Sequence, residues 1–232
     1  MTTLVLVAHA DDETLGCGAT IARLTAAGQR VCVAVLGDGV TARYVDLPDR
    51  DAVHAEIDAR WRMFVAACAC LGAEAKAPAE WLPDNRFDTL PRLTLARAVE
   101  GVIAQVRPDQ IYTHHAGDLN VDHRRVAEAV LTATRPGGAY AVREVYAFEV
   151  PSSTEWVFGA IEPRFSPNVF VNVTSTLARK LEAMSFYDTE VRPSPHPRSI
   201  EMLKARAAYW GAMAGFAAAE PLQLIRSLRD EL

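Results

Sequence analysis

Two short stretches hold most of the residues in this chain that could do chemistry. The first is "HADDE", His9 to Glu13, and the second is "DLNVDH", Asp118 to His123. Three consecutive acids repel one another, and about −3 of charge must be offset by solvent or by a cation. His9 and Asp12 stand three apart across an expected strand-to-helix turn, and His123 opens another expected helix. Two imidazoles and one carboxylate, with a position left for water, make a catalytic zinc ligand set, one ion per chain. Fe2+ and Co2+ suit the same ligand types.

Simpler readings compete for each stretch. Asp11 or Asp12 can cap a helix, with Glu13 favoured by the helix dipole and His9 a satisfied polar residue at a strand end. That explains one cluster; it does not explain the same mixture recurring in a second loop. "GCG" at Gly16 and Gly18 copies half of a dinucleotide-binding fingerprint, but the third position is Ile21. Asp11, Asp12 and Glu13 also occupy the helix start that a pyrophosphate needs. A serine hydrolase ranks last among the readings, because the chain has no G-x-S-x-G.

The remaining histidines divide by context. His114 and His115 follow a strand end, so one faces the metal-ligand cluster or substrate while the other packs. His54 lies on a polar helical face and reads as solvated. His196 sits in "RPSPHPRS", where prolines on both sides restrict the loop; it is a candidate acid or oxyanion donor, with a plain surface loop as the alternative.

Such residues need a scaffold that brings loops from distant positions together. Apolar β-rich runs, Leu4 to Ala8 and Val31 to Leu36, alternate with helical patterns at about 16–27 and 52–71, stopped by Gly28 and Gly72. Residues 73–91, with three prolines, read as a surface loop. A helix over about 92–106, a strand over 110–113 and a helix over 121–134 follow. Strands in "VREVYAFEV" and "NVFVNV", then helices over 174–187 and 199–216, finish the pattern. This alternation predicts an α/β fold with a mostly parallel, Rossmann-like sheet and helices on both faces. In that architecture ligands bind outside the carboxyl ends of the strands, where "HADDE", "GDGVTAR" and "HHAGDLNVDH" fall.

Bulk properties narrow the partners. With 24 Lys and Arg against 29 Asp and Glu, and no basic block, there is no electrostatic footprint for nucleic acid or anionic membrane. The first apolar run meets charge far short of the roughly 20 residues of a membrane span, and no basic leader precedes it, so the expectation is a cytoplasmic protein. Cys17, Cys32, Cys68 and Cys70 form no C-x-x-C and read as core fillers. At 232 residues, half of them hydrophobic, the chain is expected to form one domain, with the part from about residue 150 completing the substrate pocket.

"AHADDE" (Ala8 to Glu13) and "DLNVDH" resemble, in order, the first and second motifs of the PIG-L/LmbE-like zinc deacetylases. Ala10 stands where that family most often has proline, which removes no ligand. The resemblance implies zinc held by His9, Asp12 and His123, with Asp11 as general base and Arg60 and Asp84 contacting substrate. "AFEVPSSTEW" and "HPRS" resemble the branch acting on small sugars and sugar-containing natural products. Several members have a histidine where this chain has Asn120, three residues before the last ligand. An amide can donate a hydrogen bond at that substrate-facing position but cannot act as an acid, so His196 or His115 becomes the alternative donor.

The implied activity is hydrolytic removal of acetyl from an N-acetylated amino sugar of the GlcNAc type or from its conjugate. A metal- or sugar-binding protein without turnover is the alternative, and a homo-oligomer is compatible with the resemblance. Asp11 adjoins a ligand yet remains free to take a proton from water and return it to the leaving amine. Asp122 is placed to accept a hydrogen bond from an active-site histidine.

Overall fold

The computed structural model describes residues 1–45, 49–138, 140 and 142–229. Its frame is a seven-stranded sheet of order β3-β2-β1-β4-β5-β7-β6. The first five strands are parallel: β1 (Thr2–Val7), β2 (Arg30–Val35), β3 (Glu74–Lys76), β4 (Gln110–His114) and β5 (Glu144–Phe148). The other two, β6 (Val169–Asn172) and β7 (Ala219–Ser227), run antiparallel to their neighbours.

Side-chain alternation along the central strands explains why both faces are covered. Val5, Val7, Val31, Val33 and Val35 point into one core with Leu15, Ile21, Phe64, Leu71, Met184 and Leu203. These come from α1 (Asp12–Ala26), α2 (Arg50–Leu71), α5 (Leu177–Met184) and α6 (Ile200–Ala214). Leu4, Leu6, Ala34 and Ile111 point the other way, against Leu95, Val99, Ile103, Val126 and Val130. Those belong to α3 (Arg92–Val106) and α4 (Val121–Ala133). A strand buried on both faces has to be apolar at every position, as "LVLV" and "VCVAV" are. Among the described residues, no helix is long and apolar enough to cross a membrane.

Three expectations from sequence are corrected. α1 starts at Asp12, not at Gly16, because the apolar periodicity is interrupted by a break at Cys17 (φ −142°, ψ 26°). The stretch expected to be a loop over 73–91 contains β3, a three-residue edge strand too short and polar to show a period. The chain does not finish with two helices: β7 follows α6 and inserts between β5 and β6.

The break in α1 has a packing cost elsewhere. A Cβ at Gly16 would overlap the ring of Phe148, which is fully buried. Gly16→Ala is therefore expected to destabilise the protein by about 1–3 kcal/mol in urea titration, as overpacked sites do. Gly101, inside α3 with nothing near its missing Cβ, is the control, and Gly101→Ala is expected to stabilise by about 0.5–1 kcal/mol. Equal responses from the two would show that α1 does not need to lie against Phe148.

β1 is flanked by β2 on one side and β4 on the other, so the chain reverses its winding direction at that strand. A crevice opens at such a switch point, beyond the carboxyl ends of β1 and β4.

Candidate metal centre

Ala8 to Asp11 lead out of β1 directly into α1. Asp11 adopts φ 120°, a conformation that non-glycine residues rarely hold, and it makes no side-chain cap to the helix. The turn is held from within: Asp12 Oδ2 accepts from His9 N at 2.9 Å, and Glu13 Oε2 accepts from Asp11 N at 3.1 Å. Glu13 is itself fixed by the hydroxyls of Tyr187 (2.7 Å) and Thr14 (2.6 Å). Its burial raises its pKa to about 7, even though those hydrogen bonds pull it down. Capping of the helix amides therefore accounts for neither Asp11 nor Asp12, whereas Asn120 does cap α4, its Oδ1 accepting from Asp122 N at 2.9 Å.

His9, Asp12 and His123 converge although more than a hundred residues separate the last from the others. One ligand atom from each lies within 4.8 Å of the rest, and all three residues are buried. His9 Nε2 has Asp84 Oδ1 at 3.0 Å and Asp122 Oδ2 at 3.1 Å. Two carboxylates facing Nε2 favour a ring proton there, and in that tautomer the lone pair of Nδ1 faces Asp12 Oδ2 at 3.4 Å. His123 Nε2 stands 3.2 Å from the same Asp12 oxygen, and its Nδ1 3.1 Å from Asp118 Oδ1, yet neither nitrogen is aligned for a hydrogen bond. Lone-pair donors facing one another in a buried space fit a cation between them. The donor set, two imidazoles and a carboxylate, is that of a transition-metal site.

The charges give the same picture. Burial works against a cationic His123, but Asp12 and Asp118 outweigh it and raise its pKa to about 9. His9 is likewise raised, with burial opposing and Asp12, Asp122 and Asp84 prevailing. Burial pushes Asp12 up, yet His123 and His114 hold it well below the usual carboxylate range. The acids of the cluster favour positive charge at its centre, as a bound cation would provide.

Each histidine has its own outer carboxylate. Asp122 meets His9, and its oxygens also accept from Asn85 N (2.6 Å) and Phe87 N (2.9 Å). Asp118 meets His123 and is held by Asn120 N at 2.8 Å and by the hydroxyls of Ser153 and Thr154. A carboxylate hydrogen-bonded to a histidine, as Asp122 is to His9, orients the ring, while Asp118 stands at ion-pair distance from His123.

Asp11 is buried beside this cluster, and burial raises its pKa to about 6 against the pull of Arg198. Arg198 Nη1 lies 3.0 Å from Asp11 Oδ2 and 3.1 Å from Glu190 Oε2, while Nε donates to Ser152 Oγ at 2.7 Å. Arg60 also comes to this turn, but as a brace. It is 8 % exposed, and its terminal nitrogens are bound to Glu190 Oε1 (2.6 Å) and Ala10 C=O (2.9 Å), not offered to a substrate.

The other expected residues separate. Asp84 faces the cluster with a partly exposed side chain. His114 lies in it: its ring stacks on His123 at 4.0 Å and its Nε2 accepts from Ala8 N at 2.9 Å. His115, one residue on, turns to the other side of the strand and meets Pro163 C=O at 2.7 Å and the Phe165 ring. His196 packs edge-on against Trp156 and accepts from Arg198 N at 3.1 Å, so the "RPSPHPRS" loop reaches Asp11 through Arg198 rather than through its histidine. Arg198 and Glu190 carry no signal as site residues in the sequence, and Asp118 is visible there as a member of the second cluster without an assigned role. Arg198 and Asp118 lie inside quoted motifs, whereas Glu190 stands in a segment with no signal.

The chain is similar to known proteins in sequence and in fold. A family model described as PIG-L, GlcNAc-PI de-N-acetylase, matches residues 4–134. The uncharacterized deacetylase YaiS of Escherichia coli K12 is 27% identical over 180 residues, 73% of this chain and 80% of that protein. The N,N'-diacetylchitobiose deacetylase of Pyrococcus horikoshii superposes with a TM-score of 0.75 at 18% identity, over 97% of this chain and 84% of its own. GalB of Pseudomonas putida KT2440, a 4-carboxy-2-hydroxymuconate hydratase, superposes with a TM-score of 0.70 at 22% identity, over 100% and 98%. These likenesses to solved structures show the fold, which serves more than one reaction.

Proposed function

The chain belongs to the GlcNAc-PI de-N-acetylase (PIG-L) family, and from that membership and the buried His9–Asp12–His123 cluster we propose that it is a metal-dependent N-deacetylase. Its substrate is an N-acetylated amino sugar of the GlcNAc type or a conjugate of one, and its ion is Zn2+, one per chain. The observation that carries this reading is the pair of buried imidazole nitrogens, His9 Nδ1 and His123 Nε2, facing one oxygen of Asp12.

Bound there, Zn2+ would supply Lewis acidity toward the acetyl carbonyl and lower the pKa of water to about 7. The remaining work falls to the protein. Asp11 takes the proton as the C–O bond forms and passes it to nitrogen as the C–N bond breaks, leaving acetate and the free amine. Arg198 holds the Asp11 carboxylate in place. Asn120 commits its oxygen to the α4 cap, which leaves its NH2 end as a donor toward substrate oxygen. Asp84, partly exposed beside His9, is an acceptor for a sugar hydroxyl.

Acetate release from N-acetylglucosamine and N,N'-diacetylchitobiose, measured beside metal content, tests the assignment. Chelation is expected to abolish release, and one equivalent of Zn2+ is expected to restore it. Release that survives removal of metal would overturn the proposal. Stoichiometric metal with no acetate from a panel of acetylamino sugars would favour a binding protein, or a hydration reaction of the GalB kind.

A further inference from the structure

The "GCG" stretch that copies half of a phosphate-binding loop has another explanation in the structure. α1 breaks at Cys17, and the backbone groups around the break are taken up by side chains from two distant elements. Glu220 of β7 accepts from Ala19 N at 3.1 Å and from Thr20 N at 2.6 Å. Lys180 of α5 donates to Leu15 C=O at 2.9 Å and to Glu220 Oε1 at 2.6 Å. Thr176 adds a hydroxyl to Ala19 C=O at 2.8 Å. The two ions are 6 % and 2 % exposed. Gly18 admits the aliphatic stem of Lys180, whose Cγ would stand 3.2 Å from a Cβ at that position.

An unbroken helix satisfies its own interior amides and carbonyls, so neither ion would be needed for that purpose. A buried ion pair is also a poor source of net stability, because desolvation offsets most of the attraction. The pair is better accounted for by what it fixes. Asp12, Glu13 and the end of the Asp11 turn lie on the short segment of α1 before the break, Asp12–Gly16, whose carbonyl at Leu15 is held by Lys180.

We propose that the Lys180–Glu220 pair is a positioning device for the metal-ligand turn. It anchors the far end of the first segment of α1 to α5 and β7 and thereby sets the Asp12 carboxylate against His9 and His123. The proposal rests on the metal reading given above. It makes Lys180 and Glu220 positioning residues, neither of which touches the ion.

The test uses the double variant Lys180→Met/Glu220→Gln, which removes both charges together and leaves no unpaired ion in the core. Two readouts are followed: Zn2+ affinity by chelator competition, and hydrogen exchange of the peptide spanning residues 8–16 in metal-free protein. The expected result is affinity lowered about tenfold or more, the size of effect seen when outer-shell partners are lost. Exchange in 8–16 is expected to rise while the β2 peptide stays protected, and Lys180→Arg, which keeps a donor for Leu15 C=O, is expected to remain near wild type. A folded double variant with unchanged affinity and unchanged exchange, altered only in melting temperature, would overturn the proposal. Should the double variant not fold, Gly18→Ala pushes the stem of Lys180 aside by a few tenths of an ångström without removing a charge. The same changes at smaller size support the device, and their absence overturns it. Wild-type protein that binds no Zn2+ would overturn the metal reading alone; exchange in 8–16 then decides whether the pair holds the turn.

Discussion

Asp11→Asn is expected to keep one metal per chain and to release acetate at least about a hundredfold more slowly, the usual contribution of a positioned base. The substitution changes almost nothing but basicity. Asn matches the volume of Asp, tolerates the positive φ found at residue 11, and keeps a carbonyl oxygen for the Arg198 guanidinium. An amide has no site that accepts a proton from water near neutral pH, so the loss falls on kcat, with metal content and KM little altered. The two measurements, bound metal and rate, must therefore separate. If Asp11→Asn turns over like the wild type, another group is the base, and Asp84, near His9 and partly exposed, is the next to test.

Asp12→Ala should have the opposite signature: the metal itself is lost. One oxygen of Asp12 faces both His9 Nδ1 and His123 Nε2 and also receives the His9 backbone N–H. Removing it deletes the proposed ligand, the cluster's counter-charge and part of the turn. A fall in Zn2+ affinity of more than about a hundredfold is expected, beyond the range for outer-shell partners. Asp12→Asn divides these roles, since it keeps an oxygen for the His9 N–H and gives up the charge. Affinity that falls in both variants ties the metal to the carboxylate; affinity that survives in Asp12→Asn would show that the turn, not the charge, is what matters. Asp12→Ala that retains a full equivalent of metal would place the site elsewhere.

What the sequence revealed follows from how far each interaction reaches along the chain. β1, β2 and β4 were legible because a strand sandwiched between helices must be apolar throughout, and short apolar runs stand out. β3 was not, since an edge strand of the three residues "EAK" carries no such demand. β7, "AEPLQLIRS", alternates only partly and contains Pro221, so it did not read as a strand. The start of α1 was misjudged for a chemical reason: the glycines and the break at Cys17 erase helical periodicity where the functional residues begin.

The site divides in the same way. His9, Asp11, Asp12, Asp122 and His123 were visible as clusters of unusual residues at strand ends. Arg198 and Glu190, some 180 residues from Asp11, look like any solvated ions in a polar segment. Their importance comes from a fold that brings them beneath one turn. The alternation of β4 explains His114 and His115: adjacent residues must leave a strand on opposite faces, and only one could reach the cluster.

The strand order has a consequence for synthesis. Among the described strands β6 pairs only with β7, and β7 follows the other six in the sequence. While a ribosome has delivered the chain only as far as α6, His9, Asp12 and His123 already exist and β1 to β5 can pair, but β6 has no neighbour to dock on. Glu220 has not yet emerged either, so the break in α1 lacks its acceptor. On the proposed reading, the setting of the His9–Asp12–His123 cluster waits for β7, long after the three residues themselves have been made.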